Sequence, residues 1–174
     1  MDELLQHYKH HTPDICEHLD TLTELAKQCE HVTEMGFRYG ASFCAFLKAH
    51  PKKLVTYDIA IPKSATTELD QFKGDTETEY HEKSTLDISI EDTDLLFIDT
   101  LHTYKQLQKE LELHANKSQK YLAFHDTVTY AHRGEDGSQK GLMDAIQEFL
   151  RENSAWAIHK HHYNNNGLTI LIRK

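Results

Sequence analysis

The stretch DLLFIDTLHTY, residues 94–104, decides how the rest of the chain reads. Leu95, Leu96, Phe97 and Ile98 run without alternation into Asp99, and His102 follows three positions on. Alternating apolar and polar residues mark a strand with one wet face. An unbroken apolar run of this length marks a strand buried on both faces, as in the middle of a parallel sheet. A carboxylate in the last position of such a strand is either a cap or the floor of a site.

The segments around it repeat the pattern. HVTEMG (31–36) is a short strand entering a glycine turn, and ASFCAFLKAH (41–50) is a helix stopped by Pro51. KLVTYDIA (53–60) is a second strand, a third falls within ETEYHEKSTLDI (77–88), and KYLAFHDT (120–127) is a fifth. The polar residues between the second and third strands carry no readable period. Tyr104, Leu107 and Leu111 share one helical face, and Leu142, Ile146, Phe149 and Leu150 mark another helix. At the start, MDELLQHYKHH reads as a helix. Thr12-Pro13 reads as the N-cap and first position of a second helix, along which Ile15, Leu19, Leu22, Leu25 and Cys29 recur. The tail pairs WAIHKHHY with LTILIR around NNNG (164–167), a hairpin signal. Strands alternating with helices and closing on a hairpin predict an α/β layered domain with a mostly parallel sheet and an antiparallel edge. No repeat, linker or domain boundary interrupts residues 1–174, so one domain is expected, with residues 1–30 as an N-terminal helical segment and 31–174 as its core.

Composition narrows the function. A hydrophobic content of 39% over 174 residues suits one soluble domain with a full core. The apolar runs are too short to cross a bilayer and no signal-peptide pattern opens the chain, so a cytoplasmic protein without a membrane partner is expected. A net charge of −9 disfavours a nucleic-acid partner, which would call for clustered Lys and Arg. Three cysteines, Cys16, Cys29 and Cys44, have no metal-type spacing and read as free thiols in a reducing compartment. Fourteen histidines mean that position, not residue type, must single out a functional one. Nothing in the sequence sets the oligomeric state, and a homo-oligomer stays open.

Ligands of such sheets bind at the carboxyl ends of the strands, where strand order reverses. Four strands deliver unusual residues to that end. Gly36 and Gly40 can adopt positive φ and let a ligand approach the backbone just before a helix. The spacing is neither G-x-G-x-x-G nor a P-loop, which disfavours a dinucleotide or nucleoside triphosphate. Asp58, ending the next strand, is placed to accept ribose hydroxyls. Asp99 and Asp126 end two strands expected to be neighbours, and they would repel unless protonated or neutralised by a cation. Oxygen ligands suit Mg²⁺, and an imidazole from His125 shifts the preference toward Mn²⁺ or Fe²⁺. Strand alternation, however, could turn His125 away from the side chain of Asp126. His102 is a candidate base for a hydroxyl acidified by that cation.

EMGFRYGAS, YDIA, LLFIDTLHTYKQLQKEL, AFHDT and NNNGLTIL together resemble the class I S-adenosylmethionine-dependent methyltransferases, in particular the branch of the macrocin and mycinamicin O-methyltransferases and the cephalosporin-hydroxylase-like proteins. The resemblance runs from about residue 30 onward. It implies a Rossmann-like, doubly wound, mostly parallel seven-stranded sheet with an antiparallel C-terminal hairpin. It implies Glu34, Gly36, Gly40 and Ser42 along the methionine part of the cofactor, Asp58 on the ribose, and Ser84, Thr85 and Leu86 beside the adenine. A divalent metal, Mg²⁺ or Mn²⁺, falls to Asp99, His125 and Asp126, with His125 where the family carries an acidic residue, and the catalytic base falls to His102. The expected activity is O-methylation of a small molecule or sugar. Two alternatives stay open: a non-catalytic cofactor-binding protein with the same fold, and a metal-dependent hydrolase, which would leave the glycine turn and Asp58 unexplained. The N-terminal helix and the 128–140 loop are the only material for a lid.

Overall fold

A computed structural model describes residues 1–174. Its seven strands are β1 (His31–Met35), β2 (Lys53–Asp58), β3 (Glu77–Glu82), β4 (Thr93–Ile98), β5 (Ser118–His125), β6 (Trp156–His162) and β7 (Leu168–Arg173). They form one sheet in the order β3-β2-β1-β4-β5-β7-β6. The first five run parallel, and β7 lies antiparallel between β5 and β6. This is the doubly wound, mostly parallel sheet with an antiparallel C-terminal hairpin that the sequence predicts.

The apolar run of β4 explains the layering. Leu95 and Phe97 face a core shared with α1 (Asp2–His11), α2 (Leu19–Ala26) and α3 (Ala41–Lys48). Leu96 and Ile98 face a second core shared with α5 (Tyr104–His114) and α6 (Leu142–Glu152). All four side chains are buried, and each contributes roughly 1.5–3 kcal/mol on leaving water. Residues Ala41 to Leu47 of α3 are buried too, because the helix is pressed between the sheet and the N-terminal helices. No helix is long and apolar enough to cross a membrane.

Two local readings differ from the structure. Thr12 caps the end of α1, not the start of α2: its hydroxyl and its N–H both donate to the Tyr8 carbonyl, at 2.7 and 2.9 Å. Pro13 has no N–H and ends that helix, and α2 begins only after a 3₁₀ turn over Cys16–His18. Ile15, Leu19, Leu22, Leu25 and Cys29 are nevertheless all buried, as their spacing implied. The unread segment between β2 and β3 holds α4 (Lys63–Asp70), in which Leu69 alone is buried, so no apolar stripe announced it.

Gly36 sits where β1 and β4 converge, with φ +97°. A Cβ there would lie 1.9 Å from the Asp99 carbonyl oxygen, so only glycine fits. Behind it Glu34 is fully buried and accepts hydrogen bonds from the hydroxyls of Ser42 at 2.5 Å and Thr56 at 2.6 Å. Burial pushes the Glu34 carboxyl up to about 8; the two hydroxyls pull against this, and the charges of Asp99 and Asp58 reinforce it.

Two outcomes follow from these contacts. Gly36→Ala is expected to cost about 2–4 kcal/mol, from a left-handed backbone and an overpacked crossing, measured by urea denaturation. The folded chain holds the Glu34 proton more tightly than the unfolded chain does. Stability contributed by this group is therefore complete below the ordinary carboxylate range and is lost as pH rises through about 8. Urea midpoints at about pH 5 and about pH 9 should fall in the wild type and move much less in Glu34→Gln; an equal fall in both would show that Glu34 is not the group responsible.

Candidate active site

The carboxyl ends of the parallel strands open on two adjoining cavities that share Gly36, Asp99, Thr100 and Glu135. The first, of about 450 Å³, lies over β2 and is lined by Asp58, Ile59, Ser84, Thr85 and Leu101. The second, of about 400 Å³, lies over β4 and β5. Its walls come from Thr12, Asp14 and Ile15 on one side and Thr129, Tyr130 and Glu135 on the other. The 128–140 loop thus walls the second cavity, whereas the N-terminal helix lines neither cavity and the opposite wall comes from the residues that follow it. An Arg38–Asp14 ion pair ties the glycine turn to the N-terminal wall.

The residues expected around the cofactor divide in two. Gly36 and Ser42 line the second cavity, and Asp58, Ser84 and Thr85 line the first. Glu34 and Gly40 line neither. Glu34 lies beneath the floor, and Gly40 caps α3 with φ +88°, packed against Leu69 and Phe37. Leu86 is half exposed outside the cavity, following Ser84, whose hydroxyl accepts the Leu86 N–H. Asp58 accepts the N–H groups of Phe37 and Arg38 at 2.7 and 2.8 Å through Oδ2, and that of Ala60 at 3.1 Å through Oδ1. A carboxylate offers about four acceptor directions, so Asp58 holds the glycine turn and keeps one direction for a ribose hydroxyl. Ile59 and Leu101, 78% and 55% exposed, edge the same cavity and present apolar surface of the kind a flat base would cover.

Asp99, His102, His125 and Asp126 meet in one cluster. His102 Nε2 lies 3.2 Å from Asp99 and 3.0 Å from Asp126. His125 Nδ1 lies 3.4 Å from an oxygen of each. Strand alternation alone would set His125 and Asp126 on opposite faces, yet here both reach the same cluster. Asp126 leaves β5 in the left-handed region, φ +58°, which swings its carboxylate back to the side of His125. Burial opposes charge on both rings, but the carboxylates prevail: His102 is raised to about 11 and His125 to about 10. Burial would likewise raise Asp99 and Asp126, yet the imidazoles hold both below the usual carboxylate range.

The same residues fit a divalent cation. His125 Nε2 lies 3.2 Å from the Asn165 carbonyl, which only accepts, so Nε2 carries the hydrogen. That leaves Nδ1 of the neutral ring as a lone pair. It is buried, makes no well-formed hydrogen bond and faces both carboxylates. One atom each of Asp99, His125 and Asp126 lie within 4.8 Å of one another, an oxygen-rich set with one nitrogen that suits Mg²⁺ or Mn²⁺.

Three further contributors escaped the sequence reading. Glu135 hydrogen-bonds both the peptide N–H and Nδ1 of His102. Tyr130 lies parallel to the His102 ring, centroids 4.9 Å apart. Glu110, buried in α5, accepts from Thr85, Thr100 and Gln106 and so props the floor of the first cavity. A charged residue next to Leu111 on the apolar face of α5 was a signal for Glu110; nothing in the loop composition marked Glu135 or Tyr130.

No family model matches the chain, and no curated protein matches it in sequence. Solved structures do. An O-methyltransferase from Bacillus cereus in complex with SAH is 13% identical, with a TM-score of 0.69 over 91% of this chain and 81% of that one. The O-methyltransferase TomG from Streptomyces achromogenes, involved in tomaymycin synthesis and solved with SAM, is 17% identical, with a TM-score of 0.66 over 91% and 80%. The N-methyltransferase NodS from Bradyrhizobium japonicum WM9, solved with S-adenosyl-L-homocysteine, is also 17% identical, with a TM-score of 0.66 over 92% and 88%. At these identities the likeness is one of architecture: the chain has the fold of the S-adenosylmethionine-dependent methyltransferases.

Proposed function

We propose that the chain is an S-adenosylmethionine-dependent O-methyltransferase acting on a hydroxyl of a small molecule or sugar, assisted by a divalent cation. The observation that carries this reading is the position of His102. It lines the second cavity and contacts Asp99 and Glu135, which both cavities share, as well as Asp126. A nucleoside fits the cavity edged by Asp58, Ile59 and Leu101, and an acceptor fits the polar cavity under the N-terminal wall. The macrocin and mycinamicin branch is the finer part of the proposal and is supported by the Asp99–His102 spacing.

S-Adenosylmethionine would bring a methyl group on a sulfonium centre, and Asp99, His125 and Asp126 would hold a divalent cation that would supply positive charge to the site. The chain supplies the rest. In the structure the two imidazoles balance the charge of Asp99 and Asp126, and His102, in its neutral form, is the side chain of the acceptor cavity that would take a proton from the acceptor. An amine acceptor has a lone pair of its own once neutral, whereas a hydroxyl needs its proton removed as the bond forms. An imidazole beside a cation site therefore favours oxygen. The glycine turn and Asp58 hold the two reactants in line, an effect that can lower the barrier by as much as about 7–11 kcal/mol.

Calorimetric titration with S-adenosylmethionine, with and without Mg²⁺ or Mn²⁺, tests the cofactor. Binding is expected, and Asp58→Ala should weaken it; no binding under either condition would reduce the glycine turn to a turn. In an acceptor screen, His102→Ala should keep cofactor affinity and lose about 100-fold or more in turnover. Undiminished turnover in that variant would remove His102 from the mechanism.

A further inference from the structure

Glu135, in the loop after β5, is tied to His102 three times. Its Oε1 accepts the His102 peptide N–H at 3.2 Å, and its Oε2 lies 3.0 Å from the ring Nδ1. Its own N–H donates to the His102 carbonyl at 3.0 Å. Tyr130, from the same loop, covers one face of the imidazole with an interplanar angle of 3°. The ring is thereby fixed at one edge and one face, and its other edge, Nε2, points at Asp99 and Asp126.

An ionised carboxylate only accepts hydrogen bonds, so Nδ1 carries a hydrogen whenever it rests on Glu135. We propose that Glu135 is a positioning residue: by holding the ring through Nδ1–H it keeps Nε2 turned to the cavity beside Asp99 and Asp126, as the nitrogen that takes the acceptor's proton. The proposal rests on the reading of His102 as the base. Apart from Glu135, nothing lies within hydrogen-bond reach of Nδ1. Without it, the Nδ1 edge has no partner, and only the Tyr130 face and the two aspartates hold the ring.

The protons balance. The acceptor O–H bond breaks as the Nε2–H bond forms; the ring becomes imidazolium with Nδ1–H still on Glu135; and Nε2 later releases its proton to solvent. Glu135 changes neither its bonds nor its charge. Because its loop also lines both cavities, seating the loop and orienting the base are one event.

Proton NMR of the protein carrying ¹⁵N-labelled histidine tests this directly. The wild type should show a strongly downfield Nδ1–H resonance that disappears in His102→Gln. Glu135→Ala should abolish it. Glu135→Gln should retain it at a less extreme shift, since the amide oxygen still accepts. A resonance unmoved in both Glu135 variants overturns the proposal. In turnover, Glu135→Ala should lower kcat by about 100-fold with little change in KM for the cofactor, and Glu135→Gln should recover part of it. The resonance reports the Glu135 contact alone, whereas undiminished turnover in His102→Ala would overturn the base itself, so the two failures are distinct.

Discussion

β1 and β4 approach each other at Gly36 and Asp99 more closely than any side chain would allow. This backbone contact brings the glycine turn and the carboxylate of the central strand to one point. Asp99 N–H donates to the Met35 carbonyl, and Gly36 N–H to that of Tyr57, so the ladder runs to the very edge of the site. The rest is arranged around it. Asp58 holds the amides of the turn, β5 carries His125 and Asp126 alongside Asp99, and the sequence after β4 returns His102 over the same carboxylate. The buried apolar strands make this edge rigid, and a rigid edge is what positioned charges require.

Charge is the second constraint. Asp99, Asp126 and Glu135 crowd one imidazole, while His125 reaches the first two from below. Such a group of acids is stable only with positive charge among them. The imidazoles can provide it, and so can a cation.

Much of this was legible in the sequence, and the reasons are physical. The unbroken apolar run in β4 can only be buried on both faces, so the layered fold followed from it. Asp58, Asp99 and Asp126 were expected at this edge because a sheet presents the residues that end its strands there, and His102 because it follows Asp99 by three positions. The orientation of His125 was not legible, since it depends on the left-handed backbone of Asp126, which the residue type does not dictate. Thr12 was misplaced because a hydroxyl before a proline can bond the carbonyl behind it as readily as the amides ahead. α4 buries only Leu69, and the loop that carries Glu135 and Tyr130 has no period at all.

The turn at Asn164–Gly167 joins parts of the site that lie far apart in sequence. Asn165 accepts the Glu17 N–H across 148 residues of sequence, and its side chain also donates to the Pro13 carbonyl. The same turn anchors His125 and receives the N–H groups of Val128 and Thr129. The N-terminal wall, His125 and the root of the loop therefore all rest on this one turn. Segments far apart in sequence share a single support, so a change within the turn reaches both walls of the cavity and the histidine beneath it at once.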